Sequence, residues 1–316
     1  CVGGQTANNL TPPLAKNGVN ILGTKAEDVD NAENRSKFSS VLDNLHIKQP
    51  KWQAFSNLTD AKFFAQEVGY PVIVRPSYVL SGAAMKVVWS QDELKTYVKE
   101  ATTVSPDHPV VISKFMLNSL EVDVDGVCDG KNVIIGAIVE HIDFAGVHSG
   151  DAMMCIPPWR LNNKIIETIT DYTNKIAISF NIKGPFNLQF LINDGHVFVI
   201  ELNIRASRSM PFVSKLVKIN LISLASGAIL GKELPPIPHD HWKKIHNYGI
   251  KVPQFSFMQL EGADIILGVE MQSTGEAACF GNSFYDALAK GLISVGYHLP
   301  QEGTALITIG GDENKE

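Results

Sequence analysis

Cysteine is scarce. The four in 316 residues, Cys1, Cys128, Cys155 and Cys279, include no C-x-x-C pair, which argues against a disulfide framework and a cysteine zinc site and fits a reducing compartment. Long apolar runs are also missing: none approaches the roughly 20 residues of a membrane helix, and the start lacks the basic-then-apolar order of a secretory leader. A soluble cytoplasmic protein is the expectation, with mitochondria as a second compartment. An excess of positive charge is absent too. Lys and Arg total 27 against 33 Asp and Glu, a net charge of -6, so neither nucleic acid nor a membrane is expected as a partner. No internal repeat or low-complexity tract occurs, and no Gly-Lys-Ser/Thr stands where a Walker A loop would need it.

The residues that are there describe a folding chain. Hydrophobic residues make up 45% and charged residues 19%, and the length exceeds what one core usually serves, so at least two packed subdomains are expected. The reading is α/β (α+β). Gly3-Gly4-Gln5-Thr6 reads as a turn and residues 19–23 as a strand at the edge of an α/β layer; Asp30 reads as the cap of a helix carrying Arg35, Phe38, Val41, Leu42 and Leu45. Residues 59–69 read as a helix closed by Gly69, and 72–75 as a strand. Strands at 86–89, 110–115, 121–127 and 133–140 follow, with a helix at 92–101. A glycine-bearing loop at 145–151 precedes a long helix at 162–180, and Asn193-Asp194-Gly195 joins strands at 186–192 and 196–201 as a hairpin. Pro235, Pro236 and Pro238 mark a boundary near 232.

Chemistry concentrates on that hairpin. Gln189 lies on one strand, Glu201 ends the other and Asn203 follows, a hard oxygen set suited to Mg²⁺ and a bound phosphate. Arg205 and Arg208 stand just beyond, where guanidiniums can grip a planar anion. A solvated polar hairpin end competes with this reading. Arg75-Pro76-Ser77-Tyr78-Val79-Leu80-Ser81-Gly82-Ala83-Ala84-Met85 is a strand end and small-residue turn; backbone amides near Ser81 and Gly82 can approach phosphate while Arg75 neutralises it, although a plain hairpin turn would look the same. Glu140, His141 and His148 stand around the glycine loop; the two histidines there can bond ribose, phosphate or acceptor, although most lone histidines do none of these.

Taken together, Asn34-Arg35-Ser36-Lys37-Phe38, the 75–85 stretch, Glu140-His141, Gly146-Val147-His148-Ser149-Gly150-Asp151, Gly184 to Phe190 and Ile200-Glu201-Leu202-Asn203-Ile204-Arg205-Ala206-Ser207-Arg208 resemble the large chain of carbamoyl-phosphate synthetase, in family order. That large chain has two ATP-grasp halves. Ser273-Thr274-Gly275-Glu276, a helix near 284–292 and the stretch from Gly296-Tyr297 resemble the end of the second, carbamate-phosphorylating half; Val252-Pro253-Gln254-Phe255-Ser256-Phe257 resembles the animal-type fused pyrimidine-pathway enzyme.

The resemblance implies an ATP-grasp fold with a mobile lid at about 71–114. Residues 1–24 would be the edge of a pre-ATP-grasp domain, 25–232 the ATP-grasp domain, 233–295 the rest of the synthetase unit and 296–316 the first strand of a truncated, methylglyoxal synthase-like allosteric domain. It implies phosphate contacts from Arg35 and Arg75, nucleotide contacts from Lys114, Met116 and Glu121, and a loop of Gly146, Val147, His148 and Ser149 closing over ATP. Gln189, Glu201 and Asn203 would ligate two Mg²⁺ or Mn²⁺ ions; Glu201, Arg205 and Arg208 would act on the reacting groups, with carbamate as acceptor. Ser113 departs from the acidic residue of bacterial members, and Ile204 replaces a proline common in the motif. Partners implied are the remaining domains of the large chain and a glutaminase domain or subunit, with room for a homo-oligomer; the pathway would be pyrimidine or arginine/urea synthesis. Another ATP-grasp ligase would share the metal hairpin, and a nucleotide-binding module without turnover is the reading from a different class.

Overall fold

Three helices lie within residues 4–44, and the second and third adjoin at a single asparagine cap. The computed structural model describes residues 4–55, 57–76, 85–104, 110–257, 260, 262, 265–297, 300, 302–304 and 306, with backbone alone at 4–6, 76 and 99–104. The loop residues Ser81 and Gly82, and most of the strand expected over 296–316, lie outside these. Helix α1 (Gly4–Lys16) replaces the turn read at its start. No strand forms at 19–23: Val19 and Leu22 are exposed, and without a neighbouring strand their backbone has no ladder to join. α2 (Ala26–Glu33) and α3 (Arg35–Asn44) meet at Asn34. Asn34, rather than Asp30, caps the helix of Arg35: its Oδ1 accepts from the Lys37 amide at 3.2 Å, whereas Asp30 lies inside α2 and its carbonyl accepts from the Asn34 amide at 2.9 Å. Phe38 and Leu42 are buried on the inner face that their spacing defines.

The next unit is an antiparallel sheet of β1 (Trp52–Phe55), β2 (Val72–Pro76), β3 (Lys86–Val88) and β4 (Val110–Lys114) in the order β1-β4-β2-β3. Helices α4 (Leu58–Val68) and α5 (Gln91–Val104) cover it. Asn57 caps α4 by accepting from the Asp60 amide at 3.0 Å, and Gly69 ends it at φ 74°. This unit has a separate core in which Phe55, Ala61, Val74, Val88, Leu94 and Ile112 are buried. Residues 45–51 and 115–119 join it to the rest, and each connection holds a residue in the left-handed region, His46 and Asn118, both at φ 54°.

The main sheet has seven antiparallel strands: β5 (Leu120–Asp129), β6 (Val133–Phe144), β7 (Met154–Ile156), β8 (Lys183–Asn193), β9 (His196–Asn203), β10 (Tyr248–Gln254) and β11 (Gly275–Gly281), in the order β11-β10-β7-β6-β5-β8-β9. Between them come α6 (Asn163–Ser179), capped by Asn162, then α7 (Met210–Val217) and α8 (Leu221–Ile229), with α9 (Phe284–Ser294) at the end. Strand alternation separates two faces. Val122, Val124, Leu188, Phe190 and Leu202 share one core with Ile165, Ile169 and Ile176 of α6 and Leu221 and Ala225 of α8. Their neighbours in sequence, Glu121, Asp123, Asp125, Asn187, Gln189, Glu201 and Asn203, occupy the alternate positions. The Pro-rich stretch is a connection within the fold, because β10 and β11 beyond it pair into the same sheet. Among the described residues no single helix is long and apolar enough to cross a membrane; α7 and α8 meet that test only together, bent by 116°, and both bury residues in the core.

Candidate nucleotide and acceptor site

The site is built on a ladder of polar residues. Asp123 stands opposite Gln189, Asp125 opposite Asn187, Gln189 opposite Glu201 and Asn187 opposite Asn203. Between the pairs Gln189–Glu201 and Phe190–Val199 the register shifts, leaving Ile200 as an extra residue in β9. That bulge turns the Ile200 carbonyl to Arg35 Nη1, which donates to it. The cap at Asn34 therefore aims Arg35, the first residue of α3, at the strand holding Glu201.

One cavity of about 460 Å³ lies between this ladder and the four-stranded unit. Arg35, Arg75, Lys114, Met116, Glu121, Gly146, Val147, His148, Ser149, Gln189, Glu201, Asn203, Arg205 and Arg208 all line it. Apart from Glu140 and His141, the sequence-read residues within the described structure thus share one space, but their roles there differ. The Lys114 ammonium donates to the carbonyls of Gly69 at 2.9 Å and Tyr70 at 3.1 Å, so its charge serves the end of α4. Glu140 is taken up structurally: it accepts from the amides of Trp159 at 2.8 Å and Arg160 at 3.0 Å and from Arg160 Nε. His148 accepts from the Gly150 amide at 3.0 Å, and its own amide donates to the Gly268 carbonyl at 2.8 Å. Gly146 at φ 116° holds a backbone that side chains avoid, and an added Cβ would sit 3.0 Å from the Phe115 ring.

The cavity combines uncompensated charges of both signs. Burial, with Arg75 as a like-charged neighbour, pulls the Arg35 guanidinium down from its ordinary value, while Glu201 opposes. Burial does the same to Arg75, again against Glu201. Both Nε atoms are buried without a hydrogen-bond partner. An anion entering here relieves two desolvated cations at once. On the other wall, burial raises Glu121 to about 7; His141 opposes the rise and Asp123 and Glu201 add to it. Burial works against the charge of His141, but Glu121 and Asp123 outweigh it and raise its pKa. His141 Nε2 lies 3.5 Å from Asp123 Oδ1.

Asp123, Asn187 and Lys251 were not singled out from sequence. Acidic residues at every second position of the apolar strand 121–125 were the available signal. Lys251, 2% exposed within β10, donates to the Ser149 carbonyl at 3.1 Å and pairs with Glu276 at 3.6 Å. Burial lowers its pKa, with Glu276 opposing.

A divalent ion fits the donors present. Gln189, Glu201 and Asn203 offer one carboxylate and two amide oxygens, the hard set Mg²⁺ or Mn²⁺ accepts alongside water and phosphate. Asn203 Nδ2 donates to Glu201 Oε1 at 2.7 Å and Arg205 Nη2 donates to Asn203 Oδ1 at 3.1 Å, so the Asn203 oxygen is held by Arg205 in this structure.

The seven-stranded sheet, the separately cored four-stranded unit and the charged cleft between them define an ATP-grasp fold. Solved structures agree: the biotin carboxylase of Campylobacter jejuni superposes with a TM-score of 0.74 at 18% identity, covering 90% of this chain and 70% of that one. The biotin carboxylase domain of the Hydrogenobacter thermophilus 2-oxoglutarate carboxylase gives 0.73 at 14% identity, covering 90% and 69%. Residues 34–237 match the family described as carbamoyl-phosphate synthase L chain, ATP binding domain, and the chain belongs to that family. Multifunctional protein ura1 of Schizosaccharomyces pombe is 48% identical over 99% of this chain, and the mitochondrial carbamoyl-phosphate synthase (ammonia) of Aquarana catesbeiana is 50% identical over 96%. The chain spans only 14% and 20% of those two relatives.

Proposed function

We propose that this ATP-binding domain phosphorylates carbamate with ATP, yielding carbamoyl phosphate and ADP, as the second ATP-grasp unit of a larger carbamoyl-phosphate synthase. The observation that carries the reading is the sharing of one cavity by Arg35 and Arg75, the Gln189–Glu201–Asn203 set, and Arg205 and Arg208. A polyphosphate and a small anionic acceptor need all three groups.

In this mechanism a carbamate oxygen attacks the γ-phosphorus in line, the bond to the β–γ bridging oxygen breaks, and ADP leaves. Arg35 and Arg75 hold the phosphates, and Arg205 and Arg208 hold the acceptor carboxylate. Two Mg²⁺ or Mn²⁺ ions, held by Gln189, Glu201 and Asn203, would supply neutralisation of the phosphate charge. The loop of Gly146 to Ser149 covers the nucleotide, which Met116 and Glu121 contact. Closure of that lid over about 71–114 excludes the water in which carbamate decomposes. The remaining domains of the parent chain and a glutaminase domain or subunit would supply carbamate from the other half-site, in pyrimidine or arginine/urea synthesis.

The reverse reaction tests this directly. Given carbamoyl phosphate and Mg·ADP, the chain should form ATP, and Glu201→Ala and Arg205→Ala should each slow it by roughly 100-fold or more. Full activity in Glu201→Ala would remove the metal assignment; Mg²⁺-dependent ADP binding without any ATP would leave a nucleotide-binding module.

A further inference from the structure

Asp125 is a buried carboxylate that this chemistry leaves unused. It stands in β5, the strand between β6 and β8, fully shielded from solvent. No cation hydrogen-bonds to it, yet both of its oxygens are engaged. Oδ1 accepts from Asn187 Nδ2 at 3.1 Å and from Ser207 Oγ at 2.5 Å, and Oδ2 accepts from Ser209 Oγ at 2.6 Å. Ser207 and Ser209 flank Arg208 in the connection from β9 to α7, which also holds Arg205.

The polarity of this network follows from the carboxylate. An ionised carboxylate only accepts, so both hydroxyls must donate to it. Ser207 Oγ is thereby left free to accept from the Met210 amide at 3.0 Å, which fixes the entry into α7. Ser209 is the residue before α7, and its hydroxyl makes no capping bond there, because it is turned to Asp125. A helix start has given up its own side-chain cap to tie the loop to the sheet.

We propose that Asp125 is a positioning residue: through Ser207 and Ser209 it fixes the loop that presents Arg205 and Arg208 to the acceptor. This rests on the phosphoryl-transfer reading above for its catalytic consequence, but not for the anchoring itself. Burial raises the carboxyl to about 6, with the two serine bonds and Asn187 working against that rise and Asp123 adding to it. Ionised Asp125 is therefore a strained arrangement by burial, held by its three donors. An asparagine would fit the space, but its NH2 group would force one serine hydroxyl to accept where it now donates, and so release that hydroxyl hydrogen from the sheet.

The experiment compares the parent chain with Asp125→Asn and, as a milder cut, Ser209→Ala. Three readouts are taken: ATP formation from carbamoyl phosphate and Mg·ADP, Mg·ADP affinity, and hydrogen exchange of the backbone amides of Arg208, Ser209, Met210, Phe212 and Val213. Expected is faster exchange at Met210 and its neighbours in both variants and Mg·ADP affinity within about twofold of the parent. Alongside these, kcat/KM for carbamoyl phosphate should fall by roughly tenfold or more, carried by the KM for carbamoyl phosphate and by kcat. Unchanged exchange, or ADP affinity falling in step with turnover, overturns the proposal. If the parent forms no ATP, the proposed function fails, while exchange and ADP affinity still decide whether Asp125 anchors the loop.

Discussion

Glu121 is 6% exposed on the cavity wall, with Asp123 and Glu201 near enough to resist its ionisation. Its pKa rises from 4.5 to about 7, so between those values the folded chain keeps a proton that the unfolded chain has released. Stability contributed at this site is accordingly present below the lower value and lost as pH rises through the upper one, by about 3 kcal/mol in all. Glu121→Gln removes the titration. Urea unfolding at about pH 4 and about pH 8 should show the variant gaining on the parent as pH rises; a constant difference would mean that Glu121 is not so perturbed. At this scale the sequence exposed the arginines and the Gln–Glu–Asn set through their spacing on a hairpin. It hid Lys251, because a single lysine in an apolar strand has no pattern, and it gave no sign of the partner of Glu140, Arg160, which comes from a turn 20 residues on.

The elements were legible wherever local chemistry decided them. Gly69, Asn162 and the Asn193-Asp194-Gly195 turn end or begin elements where their own conformational preferences require it. Residues 19–23 failed as a strand because a strand is decided by its neighbour. β1, only four residues long, went unread for the same reason: its partner β4 lies more than fifty residues away. The bulge at Ile200 is likewise invisible in sequence, although it directs both Glu201 and the Arg35 contact. The loop at 146–150 is tightly constrained at its first residue. Gly146→Ala meets both the φ of 116° and the Phe115 ring at 3.0 Å, and should cost about 1–3 kcal/mol of stability and weaken Mg·ADP binding. Calorimetric melting with and without ADP checks both; an alanine tolerated without loss would show that the loop relaxes freely.

At the scale of the molecule, the four-stranded unit has its own core and two thin connections, so it can move as a body while the seven-stranded sheet stays fixed. Mg·ADP bound in the cleft should couple the two. At about 100 times its Kd, Mg·ADP should stabilise the chain by about 2.7 kcal/mol, and should slow proteolysis at the connections 45–51 and 115–119. Proteolysis unaffected by saturating nucleotide would mean that the two bodies are not linked by it. The sequence announced two subdomains by length and the lid by resemblance, but the sharing of one cavity by residues as distant as Arg35 and Lys251 is a property of the assembled sheet.

Asp151 accepts from the amides of Gln272 and Ser273, both at 2.8 Å, while His148 and Gly268 join the same two segments. Val269 and Met271 thus form part of the ceiling above the glycine loop, and β10 brings Lys251 under it, all from sequence beyond the family match at 34–237. Evolutionary signature and physical module therefore end at different residues. A chain cut at 237 would keep the whole of the family match and still be an unfinished vessel, open at the roof and with the edge of β7 bare. It should aggregate and bind Mg·ADP at least roughly tenfold more weakly than the 316-residue chain, and titrating both side by side would show whether a family boundary can stand in for a folding one.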